Sequence, residues 1–316
     1  MNLIDVTRTF KTDDDCLDYI EKMRWPSGVC CITCGSMNVS RITRESESKN
    51  KRTRLYQCLE KECTQGQFSP TAGTVFHDSH LPLTKWFMAM ALICEAKKGI
   101  SAKQVARHLG LEKSYKTAWY LCHRIRKAMK EGGLLGTGGN VVEVDETYLT
   151  PRKPRKGHPK VKKQDNGAVL GMIERDGRLM LVPIADGKMK IIEPVVVRNV
   201  SPDALLQTDM SMVYSNMGPR LFPGSHRMID HITSYAQDEN HTNTVENAFS
   251  LLKRGIYGTF HQVSVKHLGR YCDEFSYRFN RRDTQSSMFN MTLKGLLHET
   301  PLQFKTLTSD HEIEAF

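Results

Sequence analysis

No run of eighteen apolar residues occurs in this 316-residue chain, so no membrane-spanning helix is expected. The opening MNLIDVTRTFKTDDDCLDYI has neither a basic leading segment nor an apolar stretch behind it, and it does not read as a secretory signal. No internal repeat is visible. Acid is the scarcer charge: 35 Asp and Glu stand against 45 Lys and Arg, a formal net charge of +10. That balance favours a polyanionic partner, nucleic acid first. These absences together suggest a cytoplasmic protein. Its nine cysteines are then poor material for a disulfide framework, and clustered ones suggest metal ligands. With 39% hydrophobic and 25% charged residues, the composition is globular and the length suits two or three domains.

Residues 1–75 hold the clustered cysteines. Cys31 and Cys34 lie in VCCITCGS, and Cys58 and Cys63 in YQCLEKECTQGQF. Two pairs on turns about two dozen residues apart suit a four-thiolate structural zinc site. Cys30 competes with Cys31, because Cys30-x3-Cys34 is also permitted. Cys16, Cys94, Cys122 and Cys272 sit beside apolar residues on expected helices and read as small core side chains.

Residues 76–135 read as helices. LPLTKWFMAMALICEAKK is strongly apolar, SAKQVARHLG runs from a Ser cap to a Gly stop, and YKTAWYLCHRIRKAMK follows. In the last, Ala118, Leu121, Cys122, Ile125 and Met129 recur at helical spacing. The basic residues lie mostly off that stripe. The outline is that of a helix-turn-helix, with Arg124, Arg126 and Lys127 as candidate DNA contacts. A solvated basic face on a small bundle is the other reading. EGGLLGTGGN is a connector.

Residues 140–300 suggest a mixed α/β domain, with 301–316 as a tail. NVVEVDETYL is a strand carrying three acids. TPRKPRKGHPKVKKQ follows with seven Lys or Arg and no acid; Arg152, Lys153, Arg155 and Lys156 are candidate phosphate contacts. GAVLGMIERDGRLMLVPIAD is a hairpin turning at Arg175-Asp176-Gly177. MKIIEPVVVRNV reads as a helix, ALLQTDM as a buried strand, and RMIDHI as a further strand. NTVENAFSLLKRG is a helix stopped at Gly255, and SVKHLGRYCDEFSYRFNRR is a long helix.

Three acids on separate elements are candidate ligands for a hard divalent ion: Asp145 on the first strand, Asp209 at a strand end, and Glu246 in the first turn of a helix. Each has a structural alternative. Asp145 could be an edge-strand acid, Asp209 a turn residue, and Glu246 half of a capping box with Asn243. Glu143 shares Asp145's side of an ideal strand and is its main rival, whereas Glu146 should face away. Their amide variants, Glu143→Gln and Glu146→Gln, are expected to keep most activity. Lys253 lies on the Glu246 face of its helix. With Arg254 beside it, it is a candidate phosphate contact.

The segments RWPSGVCCITCGS, QFSPTAGTVFHDSHLPLTKWF, KTAWYLCHRIRKAM, VEVDETYL and HTNTVENAFSLLKRGIYGTFHQVSVKHLGRYCDEFSYRFNRR carry a resemblance over about residues 10–300. The chain resembles bacterial insertion-sequence DDE transposases of the ISXO type that carry an N-terminal zinc ribbon, relatives of the Merlin transposases. The resemblance implies an RNase H-like catalytic domain preceded by the ribbon and the helical module. It implies a triad of Asp145, Asp209 and Glu246 holding Mg2+ or Mn2+, and structural zinc. The implied activity is binding of terminal inverted repeats, DNA cleavage and strand transfer on double-stranded DNA, as a homodimer on paired ends at the nucleoid. The spacing Cys58-x4-Cys63 is wider than the two-residue gap of many relatives, EKSYKTAW is slightly longer than the usual turn, and MSMVYSNMG lacks the acid that often follows the second Asp. None of these departures removes a candidate catalytic group. A DNA-binding regulator without catalysis and a nuclease that only hydrolyses are the alternatives.

Overall fold

The computed structural model describes residues 1–42, 54–149, 167–229 and 241–309. They pack as two units, the first made of Met1–Ala96, Ala102–Ala128 and Asp283–Asp310, the second chiefly of Met129–Arg282 with Lys97–Ser101.

The first unit opens with two helices that the cysteine-rich reading of this region passed over. These are α1 (Leu3–Thr9) and α2 (Asp13–Arg24), each started by a reciprocal capping box, Asn2 with Asp5 and Thr12 with Asp15. Strands β1 (Val39–Ile42), β2 (Leu55–Cys58) and β3 (Gln67–Phe68) form an antiparallel ribbon in that order. Buried Arg54 ties the ribbon to α2 through Asp14, Asp18 and Glu21. Helix α3 (Leu83–Glu95) is apolar nearly all round and is buried accordingly. Helices α4 (Ala102–His108) and α5 (Tyr115–Lys127) are joined through Gly110, which turns the chain at φ +63°.

The second unit is a five-stranded sheet between helices. Strand β4 (Val141–Leu149) is central. It pairs antiparallel with β5 (Gly167–Glu174), which pairs antiparallel with β6 (Leu179–Ile184). On its other side β4 pairs parallel with β7 (Leu205–Asp209), and β7 with β8 (His226–Ile229). Helix α6 (Met189–Asn199) makes the first crossover despite Pro194, and α7 (Met212–Leu221) the second. Both pack on the face that carries Val142, Val144, Leu170 and Leu206. Helices α8 (Asn243–Gly255) and α9 (Val265–Asn280) cover the face that carries Val169, Ile173 and Leu181. Helix α8 ends at Gly255 as expected, but the chain continues from it directly into a π-helical turn at Ile256–Phe260.

The second unit ends earlier than the span 140–300 expected from sequence. Helix α10 (Gln285–His298) belongs to the first unit. Phe289 packs on Phe10 and Phe87, and Asn290 accepts a hydrogen bond from Tyr19. The short α11 (Phe304–Thr308) follows within the same unit.

The strand period of two sorts the acids of β4. Val142 and Val144 point to α6 and α7, so Glu143 and Asp145 point to α8. Asp145 is paired with Gly171 on β5. A Cβ at Gly171 would lie 2.6 Å from the Phe249 ring and 2.8 Å from Val245. The missing side chain lets α8 lie close on the sheet beside Asp145. Among the described residues no helix is long and apolar enough to cross a membrane.

Candidate active site and zinc ribbon

Asp145, Asp209 and Glu246 come from β4, the end of β7 and the first turns of α8. Asp145 accepts a hydrogen bond from the Glu146 amide at 2.7 Å, and Asp209 one from the Ser211 amide at 3.0 Å. Burial, then the charges of Glu146, Asp209 and Glu246, push Asp145 up to about 7. The three acids therefore share one electrostatic field although 36 residues separate the last two and 63 the first two. They do not close into a tight ligand group: among the described residues, four cysteines are the group of metal-ligating side chains whose donor atoms all lie within 4.8 Å of one another. Asp145 and Glu246 line an open cleft of about 800 Å³ with Ser250, Lys253, Arg254 and Tyr257. An acid site is thereby flanked by cations about two helical turns along α8.

The capping-box alternative for Glu246 fails on geometry. The N-cap of α8 is Thr242, which makes no side-chain cap bond, and Asn243 is already helical. The cap comes instead from the sheet. Glu143 Oε2 accepts from the amides of Thr244 (2.9 Å) and Val245 (3.0 Å), and Oε1 from the Thr244 hydroxyl (2.8 Å) and Arg175 Nη2 (3.0 Å). Nothing in the local sequence around residue 243 signals a cap 100 residues away.

Glu146 is only partly as expected. It lies on the α7 side, where Tyr214 donates to it at 2.6 Å, yet it also lines the cleft and its charge acts on Asp145. Burial first, with the Asp209 charge in addition, raises Glu146 above the usual carboxylate range.

The expected DNA contacts on α5 need correction. Arg124 and Arg126 are 6% and 1% exposed, and His123 is buried too. The Arg124 guanidinium lies 4.7 Å from the Trp86 ring centre and 5.3 Å from that of Tyr120, a desolvated cation–π site. Lys127 donates to the Thr300 carbonyl at 2.9 Å and pairs with Glu299 at 3.2 Å. The C-terminal half of α5 is thus covered by Trp86 and by the chain after α10, while the exposed residues lie on α4 (Lys103, Arg107, His108), in the 3-10 turn before α5 (Lys113) and at the start of α5 (Tyr115, Lys116). Arg152, Lys153, Arg155 and Lys156 fall outside the described residues.

In the ribbon, Cys31 and Cys63 sulfurs lie 3.7 Å apart, as do those of Cys34 and Cys58. A disulfide would need about 2.05 Å. Thiolates bound to one zinc at about 2.3 Å stand about 3.8 Å apart in a tetrahedron, so the four sulfurs fit that ion. Cys30 is outside the group, which resolves the competition with Cys31. The first knuckle folds as its sequence suggests: the Gly35 amide donates to the Cys31 carbonyl at 3.0 Å with Gly35 at φ +73°. Burial opposes ionisation of Cys31, but the Cys34 and Thr33 amides and the neighbouring thiols outweigh it and bring the thiol down to about 7. Cys16, Cys94, Cys122 and Cys272 are buried.

Residues 134–280 match the ISXO2-like transposase domain, and residues 11–65 the transposase zinc-ribbon domain. An uncharacterized transposase-like protein of Haemophilus influenzae is 29% identical over 106 residues, 33% of this chain and 84% of that protein. An uncharacterized protein in transposable element ISH50 of Halobacterium salinarum is 28% identical over 142 residues, 45% of this chain and 44% of that protein. The carboxylate field therefore lies inside one matched segment and the four-thiolate group inside the other: residues 134–280 are an ISXO2-like transposase domain and residues 11–65 a transposase zinc ribbon.

Proposed function

We propose that this chain binds the terminal inverted repeats of an insertion sequence and catalyses metal-dependent DNA cleavage and strand transfer. The observation that carries the reading is that Asp145, on β4 beside the cleft it lines with Glu246, feels the charges of both Asp209 and Glu246, which add to burial, the larger cause, in raising it to about 7. Carboxylates from separate elements that act on one another's charge are suited to hard divalent ions. Magnesium or manganese, when bound, supplies Lewis-acid stabilisation of charge developing on the phosphodiester oxygens. The three carboxylates would hold it, and Lys253 and Arg254, which line the cleft with Asp145 and Glu246, would hold the DNA phosphates near them. Hydrolysis at the element end leaves a 3′-hydroxyl, which attacks target DNA in a second in-line displacement. The sheet order, three antiparallel strands followed by two parallel ones around central β4, supports an RNase H-like reading of the unit. A homodimer would pair two ends, on the nucleoid DNA of a prokaryote.

The test is a strand-transfer assay on DNA selected from a random pool by the full chain. Cleavage followed by joining is the expected result. Cleavage without joining would make it a nuclease, and binding without either a regulator.

Recognition of the ends belongs to the ribbon and to the exposed edge of α4 and α5. The N-terminal residues of the second helix of a helix-turn-helix are the ones that reach base edges. Lys116 lies there and Lys113 in the 3-10 turn just before it, both exposed. Lys113→Ala with Lys116→Ala should weaken binding and lower the log–log salt slope by roughly one for each phosphate no longer gripped. Arg124→Ala should instead lower the melting temperature, since it opens a buried packing site. Salt titrations of binding and thermal melts separate the two; an unchanged slope in the lysine variant would exclude this edge.

A further inference from the structure

We propose that Glu143 is the residue that positions Glu246, by serving as the N-terminal cap of α8 from the strand that carries Asp145. The proposal rests on Asp145 and Glu246 being partners in one site. Glu143 has no exposed surface, and an ionised carboxylate there is tolerable only if its oxygens are bonded. They are. Oε2 takes the Thr244 and Val245 amides at 2.9 and 3.0 Å, which are the second and third helical residues after Thr242 and the amides that a side-chain cap normally satisfies. Oε1 takes Arg175 Nη2 at 3.0 Å and the Thr244 hydroxyl at 2.8 Å, with His241 Nδ1 at 3.3 Å. The negative charge also meets the positive end of the helix.

The consequence is geometric. Glu143 and Asp145 are two residues apart on one face of β4, and Glu246 directly follows the second amide that Glu143 holds. One strand thus presents Asp145 to the site and fixes the start of the helix that presents Glu246. The Arg175 guanidinium extends the tie across the sheet, since the same Nη2 also donates to Gln207 Oε1 at 2.8 Å on β7, the strand that ends in Asp209. Glu143 therefore links the backbones that carry all three acids, without itself facing the cleft residues.

The chemistry needs two acceptor oxygens. In Glu143→Gln the amide NH2 must face either the two backbone amides or the Arg175 and Thr244 donors, and donor meets donor. The expectation from sequence that this variant keeps most activity is thereby reversed. Glu143→Asp keeps the charge but is one methylene short. Thr244→Val removes the hydroxyl bond alone and keeps the shape, so it stays informative should Glu143→Gln not fold.

The experiment uses the full chain with two readouts. Amide exchange over residues 241–252, in protein free of divalent ions, should quicken at least tenfold in Glu143→Gln and by less in Thr244→Val. Cleavage titrated with manganese alone should need roughly 10- to 100-fold more of it for half-maximal rate in Glu143→Gln, the range of an outer partner of a metal ligand. Specific DNA binding should be unchanged, and Glu143→Asp should recover part of the manganese dependence. Unchanged exchange in both variants overturns the cap. Faster exchange with an unchanged manganese dependence overturns the positioning role. If Glu246→Gln keeps normal turnover, the site reading fails instead, and the exchange result distinguishes that failure from a failure of the cap.

Discussion

Asp145→Asn is expected to give a protein that melts higher than the wild type at pH 8, keeps its specific DNA binding, and does not cut. The two changes have one cause. Burial and the charges of Glu146, Asp209 and Glu246 raise Asp145 from 3.8 to about 7 in the fold. A carboxyl whose folded value is raised keeps its proton in the folded chain after the unfolded chain has lost it. Its contribution to stability is fully present below about pH 4 and is lost as the pH rises through 7. At pH 8 the metal-free fold carries an ionised, partly buried carboxylate among like charges. Asparagine has the same shape and no charge, so the penalty disappears. On the order of 1–3 kcal/mol is returned after allowance for solvent, or roughly 3–8 °C in melting temperature. The wild-type melting temperature in chelator should fall between pH 4 and 7, and that of the variant should stay closer to level. Added manganese should stabilise the wild type at pH 8 and leave the variant unmoved. Asp209→Asn and Glu246→Gln should also abolish cleavage, with smaller gains in stability because each removes only one of the charges acting on Asp145. A variant whose pH profile follows the wild type would show that the carboxylate field is weak, and active Asp145→Asn protein would remove Asp145 from the site.

The parts of this molecule that are legible in sequence are those where local pattern and final burial agree. Strands β4 to β7 and helices α6, α8 and α9 follow from alternation, caps and helical stripes near the elements themselves. Asp145, Asp209 and Glu246 could be singled out because each sits at a defined place on such an element. Helices α1 and α2 were hidden by their polar residues, and their capping boxes were the signal available. Amphipathicity misled for α5. A basic face tells that one side of a helix is polar, not whether water or another segment meets it, and here Trp86, Glu299 and Thr300 meet it. Glu143 was the harder case. Parity put it on the face of Asp145, which made it a rival ligand. Its actual partners, Arg175 and the amides of Thr244 and Val245, lie 32 to 102 residues away, and only tertiary pairing brings them together. Asn243-x-x-Glu246 then imitated a cap that the fold supplies from elsewhere.

Cys58→Ser should cost the chain its zinc and at least tenfold in affinity for the element end, while the sheet unit stays folded. Apart from the ties of Arg54 and Tyr56 to α2, the ribbon has little else to hold it. Its apolar cluster is Trp25, Tyr56, Phe68 and Ala72 together with two of the ligand cysteines themselves, Cys31 and Cys58, and its strands are two to four residues long. So small a core does not fold without a staple, and a structural zinc ion supplies binding free energy on the order of 10 kcal/mol that is folding free energy. Serine fits the space but provides no thiolate, so three sulfurs remain and the tetrahedron is open. Metal analysis should give one zinc per wild-type chain and close to none in the variant. Amide exchange should quicken in the peptides of β1 to β3 and stay unchanged in those of β5 and β6, which lie in the other unit. Cys30→Ser is the control: Cys30 lies next to Cys31 in sequence but outside the sulfur group, and its variant should keep both zinc and DNA binding. Loss of zinc in Cys30→Ser but not in Cys58→Ser, or wild-type protein without stoichiometric zinc, would overturn the assignment of these four sulfurs.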